Sequence, residues 1–107
     1  MKVIYNDLIP FKGFKAINLF GILFVRNGST ISDVDLNHEL IHTKQMKEMF
    51  YIPFYICYVL EWVVRFISCC NSRLAYRRIS FEIEAYLNQC DENYLKNRKH
   101  FAWFKHI

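Results

Sequence analysis

Apolar positions come thick from Phe14 to Val25, and most are aromatic or β-branched: Phe14, Ile17, Phe20, Ile22, Phe24 and Val25. Such residues fit a pleated, half-buried surface, and Gly21 marks a bend between two runs. Arg26-Asn27-Gly28-Ser29 carries Asn-Gly, a tight-turn signal, and Thr30-Ile31 is placed to return as a short strand. The pattern predicts a small antiparallel sheet over 14–31. Residues 1–13 are short apolar pieces broken by Asn6-Asp7, Pro10 and Gly13, which predicts an irregular or extended entry.

The period changes at Ser32-Asp33-Val34-Asp35. Ser32 can cap a helix, and Asp33 and Asp35 suit its positive end. A helix is predicted over 33–50, with Val34, His38, Ile41, His42, Gln45 and Met49 near one face. Pro53 cannot continue it but suits the first turn of the next. Residues 52–70 predict a second helix, apolar almost all round. It reads as a central helix covered on every side. Its length also approaches the ~20 residues of a membrane span, so contact with a membrane surface through 52–70 stays open. Glu61 and Arg65 weigh against a simple span, although they are four apart and can pair.

Cys70-Asn71-Ser72 breaks the pattern, with Ser72 able to cap a third helix over 73–90. Asp91-Glu92-Asn93 opens a short last turn to about Lys99. The tail from His100 to Ile107 is aromatic enough to pack back, and its two histidines read as solvated. The fold class is therefore α+β, mainly α, and 1–107 reads as a single domain with one core.

Ten Phe and seven Tyr exclude a disordered chain. The net charge of +4 sits late, in Arg73, Arg77, Arg78, Lys96, Arg98, Lys99 and Lys105. No nucleic-acid-reading motif accompanies it, so no nucleic-acid partner is expected. Cys57, Cys69, Cys70 and Cys90 form no C-x-x-C and lack metal-ligand spacing. They read as reduced and mostly buried, which implies a cytoplasmic protein, with membrane association open. Met1 to Asp7 has no long apolar core and no cleavage signal, so it does not read as a signal peptide.

Chemistry concentrates in His38-Glu39-Leu40-Ile41-His42, an H-E-x-x-H. Residues four apart on a helix share a face, so His38 and His42 can hold one Zn2+ ion. Glu39 stands at the edge of that face, where it can act as general base without being a ligand. A third ligand is wanted, and Glu82 and Glu61 are the carboxylates to consider. With three antiparallel helices both reach the height of His42, so geometry leaves them open. Glu84 is a minor option on another helix face. Gln45, one turn beyond His42, can line the site or cover it.

His38 to His42 followed by Glu82-Ile83-Glu84-Ala85-Tyr86 resembles the gluzincin metallopeptidases, including their small minimal members. There the third ligand is a Glu in an E-x-x-A-D-like segment on a later helix. The resemblance implies a three-helix zincin-like core, with Glu82 as ligand and Ala85 matching. Tyr86 stands where the family carries an Asp that orients a ligand His, and its hydroxyl could serve instead. The interval from His42 to Glu61 also resembles the aminopeptidase-type H-E-x-x-H-x18-E spacing, although Leu60 and Trp62-Val63 do not continue that pattern. Gln45 is similar to the last residue of an H-E-x-x-H-x-x-Q. The resemblance implies a zinc-dependent peptidase acting on a peptide or protein substrate, which would pair with the strand region. Tyr86, Arg26 and Tyr58 are candidates for stabilising the oxyanion. The alternative is a non-enzymatic zinc-stabilised binding module; the small size suits it, but the retained Glu39 does not.

Overall fold

The computed structural model describes residues 1–10 and 14–107. Of the predicted entry, 11–13, with Gly13, lie outside the described residues. Three strands, β1 (Lys2–Asn6), β2 (Ala16–Leu19) and β3 (Ile22–Arg26), form one sheet in the order β1-β3-β2. β2 and β3 are antiparallel, from Ala16 opposite Val25 to Leu19 opposite Ile22. β1 is parallel to β3, from Lys2 opposite Ile22 to Asn6 opposite Arg26. The entry is thus a real strand, and the sheet is mixed rather than purely antiparallel.

The hairpin turns at Phe20-Gly21, where φ is +54° and +87°. Two consecutive left-handed residues match the right-handed twist of the flanking strands. Asn27-Gly28 also turns, but it carries the chain out of the sheet, and Thr30-Ile31 forms no return strand. Leu23 and Val25 point inward from the central strand and are fully buried.

Helix α1 (Asp33–Glu48) begins as its capping signals predict. Ser32 Oγ accepts from the Asp35 amide at 3.1 Å, and Asp35 Oδ2 accepts from the Ser32 amide at 3.1 Å. Helix α2 (Ile52–Cys69) follows, with Pro53 in its first turn. Only Phe54 of α2 is buried, so the expected enclosure on all sides is not found. Its outward face is apolar and uncovered.

The predicted third helix is two: α3 (Ser72–Arg77) and α4 (Ser80–Asn88). Asn71, not Ser72, caps α3 by accepting from the Leu74 amide at 3.0 Å. Ile79 is extended and breaks the run, and it has no side-chain oxygen to cap α4. Glu61 supplies the cap from α2. Its Oε1 accepts from the Ser80 amide at 3.0 Å and its Oε2 from Ser80 Oγ at 2.6 Å. A carboxylate at a helix N-terminus also meets the positive end of the helix dipole. The chain ends with α5 (Tyr94–Asn97) and a 3₁₀ turn at Ala102–His106. Trp103 packs into the core with Met46, Phe54, Ile79 and Phe81. The cysteines are free, but none is buried: Cys57 and Cys69 are half-exposed, and Cys70 and Cys90 are exposed.

Candidate metal centre

α1 presents His38 and His42 one turn apart, and α4 presents Glu82 against them. All three are buried, at 7%, 5% and 3% exposure. Glu82 Oε1 lies 3.1 Å from His38 Nε2 and 3.1 Å from His42 Nε2, and the two Nε2 atoms are 3.1 Å apart. The three atoms make an equilateral triangle. Zinc at about 2.05 Å from each of its tetrahedral ligands sets their mutual distance near 3.3 Å, so the triangle is close to the right size.

The outer contacts fix what these atoms are. Gln45 Nε2 donates to the Phe81 carbonyl and to Glu84 Oε1, both at 3.0 Å. Both are acceptors, so the Gln45 amide can face only one way, with Oε1 towards His42 Nδ1 at 2.7 Å. An amide oxygen only accepts, so His42 Nδ1 carries its hydrogen. His38 Nδ1 meets Gln89 Oε1 at 2.8 Å in the same arrangement. In the neutral imidazoles the proton is on Nδ1 and both Nε2 atoms are bare. Two bare nitrogens and a carboxylate oxygen then face each other, all acceptors. Such a triangle requires a cation, and the donor set is one that zinc takes.

A proton is what satisfies the triangle when no metal does. Burial disfavours a charged His42, but the Glu82 carboxylate outweighs it and raises His42 to about 9. Burial likewise pushes Glu82 up, yet His42 and the bonds from His38, His42 and Tyr58 bring it well below the usual carboxylate range. Zinc binding must therefore displace a proton from this pair.

Glu82 is also held from behind: Tyr58 Oη donates to its Oε2 at 2.6 Å. That leaves Oε1 alone facing the histidines. Tyr86 sets its ring edge-on to the His38 ring at 4.6 Å, while its hydroxyl lies 3.2 Å from Tyr76 Oη. It packs against a histidine rather than bonding to its nitrogen, and Gln45 and Gln89 orient the two rings. Arg26 lies away from the site, its Nη1 donating to the Pro10 carbonyl at 2.8 Å.

Glu61 is bound to Ser80 and does not join the triad, nor does it form an ion pair with Arg65 among the described residues. Glu84 is fully buried and is not an exposed charge. It receives Gln45, Tyr94 Oη at 2.7 Å and Arg98 Nε at 2.5 Å. It thus supports His42 through Gln45. His100 and His106 lie outside the cluster.

Two contributors were not anticipated from the sequence. Gln89 lies seven residues after Glu82, where the helical period returns it to the same side, and Asn37 Nδ2 holds its carbonyl at 2.8 Å. Asn18, a polar residue inside an apolar strand run, is 7% exposed. Its Nδ2 donates to the Glu39 carbonyl at 3.0 Å and to Thr43 Oγ1 at 3.1 Å, tying β2 to α1.

His42 and Glu82 of the triad open on a cleft of about 880 Å³. Its walls include Glu39, β2 residues Ala16 to Asn18, Trp62, Arg73 and Tyr76. Glu39 is half-buried. Burial raises its pKa above the ordinary value, opposed by the His42 and His38 imidazoles. Among the described residues the cluster offers three metal ligands, and two of them, His42 and Glu82, line the cleft.

The two glutamates are separable by experiment. Glu82→Ala is expected to strip zinc from the purified protein. Glu61→Ala should keep zinc and cost about 0.5–2 kcal/mol, the range of a lost helix cap, in thermal or denaturant unfolding. Metal loss from Glu61→Ala with retention by Glu82→Ala would reverse the assignment.

Comparisons with protein families, with curated proteins and with solved structures found no match to this chain.

Proposed function

We propose that the protein is a zinc-dependent hydrolase, a metallopeptidase of gluzincin type. The observation that carries this reading is the triangle of buried acceptors opening on a cleft that also holds Glu39. Zinc, when bound there, makes water a nucleophile near neutral pH and polarises a carbonyl. His38, His42 and Glu82 would hold it. Glu39 accepts the proton that the attacking water loses and then delivers it to the leaving amine. Its half-buried position beside two imidazoles suits a group that must change protonation in each cycle.

The substrate would be an extended peptide. Among the described residues β2 is an edge strand, paired with β3 on one side, and its residues line the cleft. A peptide laid along that edge gains main-chain hydrogen bonds, while the cleft takes alternate side chains. Among the hydroxyls in the cleft, Tyr58 is engaged by Glu82 and Tyr55 by the Asn18 carbonyl. Among the described residues the Tyr76 hydroxyl bonds only to that of Tyr86, which makes it the candidate to meet an oxyanion, a role for which the sequence alone offered Tyr86, Arg26 and Tyr58.

A closed, structural zinc site would use a fourth protein ligand and would have no use for Glu39. A mixed peptide library read by mass spectrometry tests the proposal. Cleavage should occur, stop on chelation and return with one equivalent of zinc. Stable zinc binding with no cleavage across a broad library would favour the zinc-stabilised binding module.

A further inference from the structure

Helix α2 is turned inside out for a helix in water. Ile56, Val59, Leu60, Val63, Val64 and Ile67 recur at helical spacing and are between 40% and 73% exposed. The residues able to meet water face the other way. Glu61 is held by Ser80, Trp62 Nε1 donates to the Ser72 carbonyl at 3.3 Å, and Tyr58 donates to Glu82. A surface helix ordinarily shows the reverse pattern. An unbroken apolar face of this length marks an interaction site.

Charge indicates what covers it. Between residues 51 and 79 the charged side chains are Glu61, Arg65, Arg73, Arg77 and Arg78. The single carboxylate is engaged with the α4 N-terminus, so the free charge of this region is wholly cationic. Arg73 and Arg77 on α3 and Arg78 at its C-terminal cap are exposed, directly after the apolar face, and the Arg77 guanidinium lies 3.8 Å over the Tyr86 ring. Apolar side chains flanked by arginines complement acyl chains flanked by anionic headgroups. A second copy of this chain is a poorer fit. Its own α2–α3 region is equally cationic, and its one carboxylate there is already engaged by Ser80, so it offers the arginines no counter-charge.

We propose that α2 docks the protein on an anionic bilayer, lying in the plane of the interface with its outward stripe among the acyl chains and the α3 arginines at the headgroups. α2 has the length and mean hydropathy, 1.5, of a membrane span. Its inward face, however, packs on α1 and α3, which a span would carry into hydrocarbon with their charges. Trp62 and Arg73 also line the cleft, so docking sets the cleft mouth beside the membrane surface. The docking stands on the helix face alone, whether or not the metal centre is catalytic.

Vesicle sedimentation with the full chain tests this. Vesicles of phosphatidylcholine with roughly a third phosphatidylglycerol should bind the protein, and pure phosphatidylcholine should bind it less. Val59→Asp/Val63→Asp should weaken binding by about a hundredfold or more, since each buried valine contributes at least about tenfold. Both changes are on an exposed face, and circular dichroism and zinc content check folding. Arg73→Gln/Arg77→Gln is an independent variant that leaves the apolar stripe intact; it should lose the preference for anionic vesicles. Absence of wild-type binding would overturn the proposal. So would a dimer that Val59→Asp/Val63→Asp dissociates without any lipid binding. Resistance of the bound protein to alkaline carbonate would overturn the in-plane placement in favour of a span.

Discussion

Replacing Glu39 with Gln should lower peptide turnover by about 10²–10⁴-fold, the range that general-base catalysis supplies, while the protein keeps its fold and its zinc. The separation of effects follows from where Glu39 stands. His38, His42 and Glu82 bring three acceptor atoms to one point, and Glu39 is not among them. What ties this part of α1 to β2 is the Glu39 carbonyl, which accepts from Asn18 and which Gln keeps. Gln is nearly isosteric, so the cleft keeps its shape. It cannot take a proton from water at neutral pH. Zinc content, circular dichroism and turnover measured together distinguish the outcomes. Equal turnover in wild type and Glu39→Gln would remove Glu39 from the chemistry. Loss of zinc in Glu39→Gln would make it part of the metal's support instead.

The helices that carry the site were legible because their signals are local. Ser32 and Asp35 close a capping box within four residues, and His38 and His42 share a face by period alone. Glu82 could be named only through a family resemblance, because a helix count places Glu61 at the same height. What separates the two is a contact between α2 and α4 that no local pattern encodes: Glu61 is consumed in capping a helix whose own cap residue, Ile79, has no oxygen. The same fact hid the break at Ile79, since the apolar period runs through it. The entry reads as irregular or extended but not as part of the sheet, because the partner of β1, β3, lies some twenty residues on and runs parallel. Asn27-Gly28 reads as the hairpin turn because its residues are the strongest turn formers. Yet the left-handed pair that the sheet uses is Phe20-Gly21, where Asn18 Oδ1 accepts from the Gly21 amide at 3.0 Å and holds the turn. The apolar run of α2 identified a helix but not its surroundings. Composition cannot distinguish a helix covered by protein from one whose apolar face is left bare.

Arg98→Met should destabilise the protein by about 3–5 kcal/mol, the cost of leaving a buried charge without its partner. Arg98 bridges two carboxylates: Nε and Nη2 reach Glu84 at 2.5 and 3.0 Å, and Nη1 reaches Glu48 at 2.6 Å. The side chains of Arg98, Glu84 and Glu48 are 5%, 0% and 6% exposed, so water replaces little of what is lost. Charge can be told from packing by pH. Burial pushes Glu84 up, but Arg98, Gln45 and Tyr94 hold it below its ordinary value. In the wild type this contribution is present above the unfolded carboxylate pKa and disappears as pH falls through the lowered folded value. In Arg98→Met burial is opposed only by Gln45 and Tyr94, so Glu84 takes up a proton more readily than in the wild type. The penalty should therefore be greatest at neutral pH and shrink as acidification protonates Glu84 in the variant before the wild type, whereas a packing loss would be flat with pH. Glu84→Gln in the Arg98→Met background should recover part of the stability, because the buried charge is gone while Gln45 and Tyr94 keep a partner. Urea unfolding of the four proteins of this cycle at two pH values reads all of these terms. A pH-independent deficit with no recovery would show that Arg98 acts here by filling space. Zinc affinity measured alongside reports how far Glu84 supports His42 through Gln45.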